Sequence, residues 1–483
     1  MGSSQHDVAS PPRLALIGAE FFERPVKLRL PFRFGVVTLT EAPQLFVRAR
    51  VRLADGREGD GISAELLVPK WFDKSPELSN DDNFNQLRRS LALAHGHLVA
   101  AGTDTAFGLS ATADSPQRDA CTAHGLNGLI ASFGLALIER AIVDALSRLH
   151  GTSAFTLVRD NGLGITARLT PDLDSFDLAR FLGELKPADT IFVRHTVGML
   201  DALTRDDTVG NRLDDDLPQS LEEVIAVYGH RHFKLKVGGQ IEADLARLSR
   251  IAAVLDRIAE PYFVTLDGNE QFENVDAVLA LWRRIAEEPR LARLKASTLL
   301  VEQPIARSHA LSAPIHALAR DVPVEVDESD ADFGVFPRAR ELGYRGISAK
   351  SCKGFYRALL NRARVAHWNA REGGGRYFMS AEDLTTQSGV ALQQDLALAT
   401  LVGATHVERN GHHYVDGMAG APPAEQEAFL HAHPDLYARA ADGRVRLVIR
   451  DGAVALGSLR RQPGLAVGAR PDFGAMQPSP AAA

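Results

Sequence analysis

Eight short runs of apolar and β-branched residues, each followed by a stretch of helical periodicity, fill residues 190 to 410. They are TIFVRHT to Thr196, HFKLK to Lys236, YFVTLD to Asp267, STLLVE to Glu302, VPVEVD to Asp327, GISAK to Lys350, YFMSA to Ala381 and ATHVE to Glu408. Such runs read as strands, and strands alternating with helices form a parallel sheet of βα units. Between the second and third runs, Ile241, Leu245, Leu248, Ile251, Leu255 and Ile258 share one helical face. Eight βα units closing on themselves give an α/β fold of the (β/α)8 TIM-barrel type, which takes roughly 250 residues. The chain has 483 residues, so it must hold a second folded unit as well.

Upstream, QLFVRARVRL (44 to 53) alternates apolar and polar residues, Asp55-Gly56 supplies a turn, and REGDGISAELL resumes the pattern. This predicts an antiparallel hairpin. Residues 80 to 150 read as helices, the last stopping at Gly151, so the N-terminal region is expected to be an α+β domain. The expected division is residues 1–165 for that domain, ordered from about residue 20, 166–425 for the barrel, and 426–483 for a C-terminal segment returning to the first domain. Residues 152–190 and the acidic stretch 201–218 exceed ordinary connections and are expected to be insertions or lids. The tail beyond residue 462, rich in Pro, Gly and Ala, is expected to be disordered.

Composition removes several function classes. With 54 Lys and Arg against 61 Asp and Glu, the net charge is −7, and no basic block offers the footprint that nucleic acid needs. Two cysteines, Cys121 and Cys352, exclude a disulfide framework and a Cys-based zinc site, and point to the cytoplasm. The most apolar stretch, Leu126 to Ile138, is shorter than the roughly 20 residues of a membrane span. A small soluble substrate is therefore expected.

The chemistry lies at the strand ends. Active sites of such barrels sit at the C-terminal ends of the strands, and strands two to six end in Lys236, Asp267, Glu302, Asp327 and Lys350. A single charged residue there is often a solvated strand end; a cation, three anions and a cation in succession are not explained that way. Three adjacent carboxylates in a low-dielectric pocket repel one another unless a cation joins them. An oxygen-only set favours a hard ion, Mg²⁺ before Mn²⁺. Strands two and six lie on opposite sides of a ring of eight, so the two lysines would face each other across a small carboxylate-containing substrate. One could take the α-proton and the other return it, which predicts a racemase or epimerase. Lys234, two residues before Lys236, points to the same side of the strand.

The segments FKLKVGG (233 to 239), TLDGNEQF (265 to 272), LLVEQPIA (299 to 306), VEVDES (324 to 329) and GISAKSCKG (346 to 354) resemble the enolase superfamily, of the muconate lactonizing enzyme and mandelate racemase type. RPVKLRLPFRFG, DGREGDG and LIERAIVDAL resemble its N-terminal capping domain. The resemblance implies that Lys236 and Lys350 are the acid/base pair with Lys234 as modulator, and that Asp267, Glu302 and Asp327 hold Mg²⁺. Glu328 is the alternative to Asp327 as third ligand. Asn269 and Gln303 are candidates for supporting the ligands, or are simple loop residues. Glu382, Asp383 and Glu408 are candidates for substrate contact or for helix capping. The resemblance also leaves open acid-sugar dehydration or cycloisomerisation by the same α-proton chemistry, and a homo-oligomer from dimer to octamer. Where the subgroup carries a Gly-Gly pair after the sixth strand, this chain has Lys353-Gly354-Phe355-Tyr356.

A Schiff-base lysine aldolase on the same barrel is a further, weaker alternative. Gly162-Leu163-Gly164 and Gly373-Gly374-Gly375 lack the spacing of a dinucleotide or P-loop motif. His412, His413, His431 and His433 are expected at the surface.

Overall fold

A computed structural model of the chain describes residues 10–34, 37–384 and 387–480. The N-terminal unit is built on an antiparallel sheet whose first two strands, Arg13–Phe34 and Val37–Leu53, pair from Leu14↔Leu53 to Phe34↔Val37. The third strand, Glu58–Leu66, completes the expected hairpin. The first strand was not anticipated, because Pro25 and Pro31 interrupt its alternation. The register shift between Lys27 and Phe32 is where the sheet accommodates that interruption. The chain is therefore ordered well before residue 20.

Three helices pack on this sheet, Asn80–Ala100, Ala106–Ala123 and Gly128–Leu149. Each has a side chain at its start that accepts from an early backbone N–H: Ser79 in a capping box with Asp82, then Thr105, then Asn127. The third helix is buried from Leu129 to Ser147; Arg140 pairs with Glu65 at 3.0 Å and Asp144 with Arg148 at 2.8 Å, while Glu139 accepts from the Ser110 hydroxyl and the Phe355 N–H. It approaches the sheet so closely that a Cβ on Gly61 would lie 2.0 Å from the Ala141 carbonyl oxygen.

All eight expected runs form strands of one barrel: Thr190–Val197, His232–Lys236, Phe263–Asp267, Thr298–Glu302, Val324–Val326, Gly346–Ala349, Phe378–Glu382 and His406–Glu408. Neighbours are parallel, and His406↔Phe192 closes the eighth strand onto the first. Asp327 and Lys350 stand one residue past their strands. Period-two alternation sends Phe233 and Leu235 outward into the helix layer while Lys234 and Lys236 point inward.

Residues 152–190 form short helices and turns, of which Pro171–Leu173 packs against the barrel helix Phe355–Glu372, where Asp172 pairs with Arg364 at 2.6 Å. The segment 201–218 is gripped from the N-terminal unit by Arg29, which pairs with Asp215 at 2.5 Å and donates to the His413 carbonyl at 2.7 Å. The tail is not disordered as far as Pro480. Leu465, Ala466 and Val467 are fully buried, and Gln477–Pro478 pairs with Phe22 and Glu23 of the first strand. Its composition hid a few apolar anchors that are enough to fix it. Ala453–Ala455 adds antiparallel to the first barrel strand. No helix among the described residues is long and apolar enough to cross a membrane.

Candidate active site at the barrel mouth

The charged residues at the strand ends converge. Lys234 Nζ lies 2.7 Å from Glu302 Oε1, 2.9 Å from Glu382 Oε2, 2.7 Å from Glu408 Oε2 and 2.9 Å from Asp267 Oδ2. Lys236 donates to Asp267 Oδ2 at 2.6 Å. From the other side, Lys350 donates to Asp327 Oδ2 at 2.7 Å and also to Glu382. All of these side chains are buried. Ions removed from water persist only when each meets an opposite charge, and here each does.

The electrostatics follow. Burial alone would strip the protons from Lys234 and Lys350, but the surrounding carboxylates outweigh it and hold both well above the ordinary lysine range. Glu382 stays well below the usual carboxylate range, since Lys234, Lys350 and Arg194 overcome its burial. Glu302 goes the other way. Burial, together with Asp267 and Glu382, pushes it well above that range, so this carboxyl has less positive charge around it than it needs.

Gln303 accepts from the backbone N–H groups of Asp327 at 2.8 Å and Ser329 at 3.1 Å, fixing the loop that presents Asp327. Asn269 donates its backbone N–H to Asp267 Oδ1 at 2.8 Å and its side chain to Glu328 at 3.3 Å. Asn269, Glu270 and Gln303 all have positive φ. Three strained non-glycine residues beside one another are tolerated where geometry is being held for a purpose. Glu328 does not face the lysine pair. It sits towards Lys74 of the N-terminal unit, 3.7 Å away, and burial raises its carboxyl to about 7.

Phe32, Phe34, Leu39, Val68 and Trp71 of the N-terminal unit roof the cavity, opposite Lys234, Lys236, Asp267, Asp327, Lys350 and Glu408 below. Trp71 lies 5.2 Å from Lys350 Nζ. Asp383 also lines the cavity and pairs with Arg409 at 2.7 Å. Neither Glu382 nor Asp383 caps the helix that follows, Val390–Leu401, which starts without a side-chain cap. Glu408 accepts from Thr196 and from Asn410 at 3.1 Å.

Some residues escaped the sequence reading. Arg194, fully buried in the first strand, bonds Glu382 at 2.8 Å; its place two residues before Thr196 on the inward face was the available signal. Lys353, in the segment that departs from the Gly-Gly pattern, is buried and lies 3.1 Å from Asp327 Oδ1. His412 and His413 are buried, not at the surface, because the loop after strand eight turns back against the first strand. His433 is also buried, held between the Ser458 hydroxyl at 3.0 Å and the Gly468 N–H at 2.9 Å, whereas its neighbour His431 is exposed as expected.

The donor set fits a hard divalent cation. One oxygen from each of Glu302, Asp327 and Glu382 lies within 4.8 Å of the others, and Glu302 Oε2 is buried with no hydrogen-bond partner among the described residues. Glu382, read from sequence only as a substrate contact or cap, thus joins two of the three expected ligands. Asp267 stands beside them across Lys234.

No family model and no curated protein matches the chain. Solved structures do. An enolase-superfamily member from Roseovarius nubinhibens, complexed with magnesium, aligns with a TM-score of 0.57 at 16% identity over 96% of this chain and 97% of that one. A muconate lactonizing enzyme from Pseudomonas fluorescens, complexed with muconolactone, gives 0.56 at 18% over 95% and 98%. A dipeptide epimerase from Cytophaga hutchinsonii, complexed with Mg and the dipeptide D-Ala-L-Val, gives 0.57 at 14% over 96% and 98%. The fold of this chain, a barrel with an N-terminal capping unit, is the fold of these enolase-superfamily enzymes.

Proposed function

We propose that this chain is a Mg²⁺-dependent enzyme that takes the proton α to a substrate carboxylate and returns it, a racemase or epimerase. The observation that carries the reading is the pair Lys236 and Lys350, from opposite strands of the ring, flanking buried carboxylates beneath an apolar roof. Glu302 and Asp327 would hold the ion, with Asp267 as the third donor by strand order and Glu382 by present proximity. Bound there, Mg²⁺ would fix the substrate carboxylate and offset the negative charge that builds on it as the α-proton leaves. Lys236 and Lys350 would move the proton at the α-carbon, one on each face, each released from its carboxylate when the ion takes that charge. Lys234 would keep its proton and anchor Glu408 and Glu382. Gln303 would hold Asp327 in place.

The roof narrows the substrate. Phe32, Phe34, Leu39, Val68 and Trp71 offer few partners for hydroxyl groups, and a polar group buried without a partner costs about 1–3 kcal/mol. This favours a small acid with an apolar substituent over a polyhydroxy acid, and so epimerisation over acid-sugar dehydration. One solved neighbour, a dipeptide epimerase, was crystallised with Mg and the dipeptide D-Ala-L-Val.

The test is α-proton exchange in deuterated water across N-acyl amino acids, dipeptides and acid sugars. Exchange should require Mg²⁺ and fall at least about 10²-fold in Lys236→Ala and in Lys350→Ala. Exchange undiminished in both variants would sink the assignment. Comparing Mg²⁺ affinity in Asp267→Asn and Glu382→Gln separates the two ligand sets.

A further inference from the structure

Outside the mouth, three histidines come together from distant parts of the chain. Arg194 and Thr196 face the barrel interior, where they bond Glu382 and Glu408. His195 between them therefore faces outward. It meets His230, two residues before the second strand, and His412 in the short helix Gly411–Tyr414 after the eighth. All three are buried. His195 Nδ1 lies 3.1 Å from His412 Nε2, His230 Nε2 lies 3.2 Å from the same atom, and one ring nitrogen from each residue falls within 4.8 Å of the others.

Hydrogen bonding alone does not satisfy this arrangement. Burial pulls all three imidazoles well below the ordinary histidine range, so they are neutral. A neutral imidazole nitrogen has either one proton or one lone pair. His412 Nε2 faces two nitrogens at contact distance and can make one good hydrogen bond, not two. Three lone pairs directed at a single cation remove the conflict. Zn–N bonds of about 2.0–2.1 Å in tetrahedral geometry place neighbouring nitrogens about 3.3 Å apart, close to the 3.1 and 3.2 Å of two of the three pairs here, the third lying within 4.8 Å.

We propose that His195, His230 and His412 form a second metal site, for Zn²⁺ or a similar borderline transition ion, distinct from the carboxylate site at the mouth. Imidazole nitrogen selects such an ion, whereas the carboxylates select Mg²⁺. The ion would clamp the loop after strand eight, which follows Glu408 and presents Asn410 to the cavity, onto the first strand.

The experiment uses the full chain without a histidine tag, produced with added Zn²⁺ and dialysed against excess Mg²⁺ to occupy the carboxylates. Elemental analysis should find about one zinc per chain. X-ray absorption should show about three imidazole nitrogens around it. His230→Gln and His412→Gln should each lower retained zinc at least tenfold, and Glu302→Gln should not. Zinc absent from the wild type, an oxygen-only shell, or loss in Glu302→Gln but not in the histidine variants would each overturn the proposal. Because the absorption spectrum is taken on the wild type, a variant that fails to fold does not rescue the idea.

Discussion

Replacing Lys234 by Met keeps the volume of the side chain and removes its charge. Four carboxylates contact Lys234, yet three keep other donors: Asp267 retains Lys236 at 2.6 Å, Glu382 retains Arg194 at 2.8 Å, and Glu408 retains Asn410 at 3.1 Å. Glu302 loses its hydrogen-bonded cation, 2.7 Å away, and its other oxygen already lacks a partner among the described residues. The loss is thus concentrated on one buried carboxylate. Burial already holds Glu302 well above the usual carboxylate range, so it takes up a proton when Lys234 is gone, and the expected destabilisation of the metal-free protein is that of a lost buried hydrogen bond to a charged group, about 1.5–3 kcal/mol. Mg²⁺ then has more to offer the variant than the wild type, because it meets no competing ammonium. At a concentration a hundredfold above its dissociation constant for the variant it should return about 2.7 kcal/mol to the variant, and less to wild type at that same concentration. Urea titrations of both proteins, with chelator and with Mg²⁺, measure each quantity. The reasoning fails if Lys234→Met stays within about 1 kcal/mol of wild type without metal, or if Mg²⁺ stabilises the two proteins equally.

Two further perturbations test the scaffold. In Gly61→Ala the new Cβ would meet backbone atoms of the helix 128–149 at 2.0 and 2.3 Å; the helix must move, and a loss of about 3 kcal/mol or more is expected by thermal unfolding, against less than about 1 if sheet and helix are not in firm contact. His433 is depressed to about 4 from 6.5 by burial, and its folded form is neutral, so its contribution is complete above pH 6.5 and is lost as pH falls from 6.5 towards 4. That contribution is at most about 3 kcal/mol. His433→Gln should therefore show a smaller stability loss over that interval than wild type, and an equal loss would refute it.

The barrel was legible because each strand announces itself locally: a β-branched run bounded by helical periodicity does not depend on distant partners. The strand-end charges were legible for the same reason, since topology alone decides that Asp267, Glu302 and Lys350 share one mouth. What escaped was set by tertiary contact. The strand Arg13–Phe34 carries two prolines and is held by its partner strand. Lys353 looked like a departure from a glycine pair, and only the turn after the sixth strand brings it to Asp327. His412 read as a loop residue because its partners, His195 and His230, lie some two hundred positions away. Glu382 was seen, but its company with Glu302 and Asp327 is a matter of distances no spacing encodes.

The pairing of Phe22 with Pro478 carries a consequence for how the molecule is made. On the ribosome the N-terminal sheet emerges first, and segments made early tend to fold early. Its first strand nevertheless keeps an open edge there until residues 477 and 478 have left the exit tunnel, and an open edge invites pairing with another chain. Newly made copies crowded on one messenger should be most prone to associate in that interval. Emergence of Gln477–Pro478, which cover that edge, would close it.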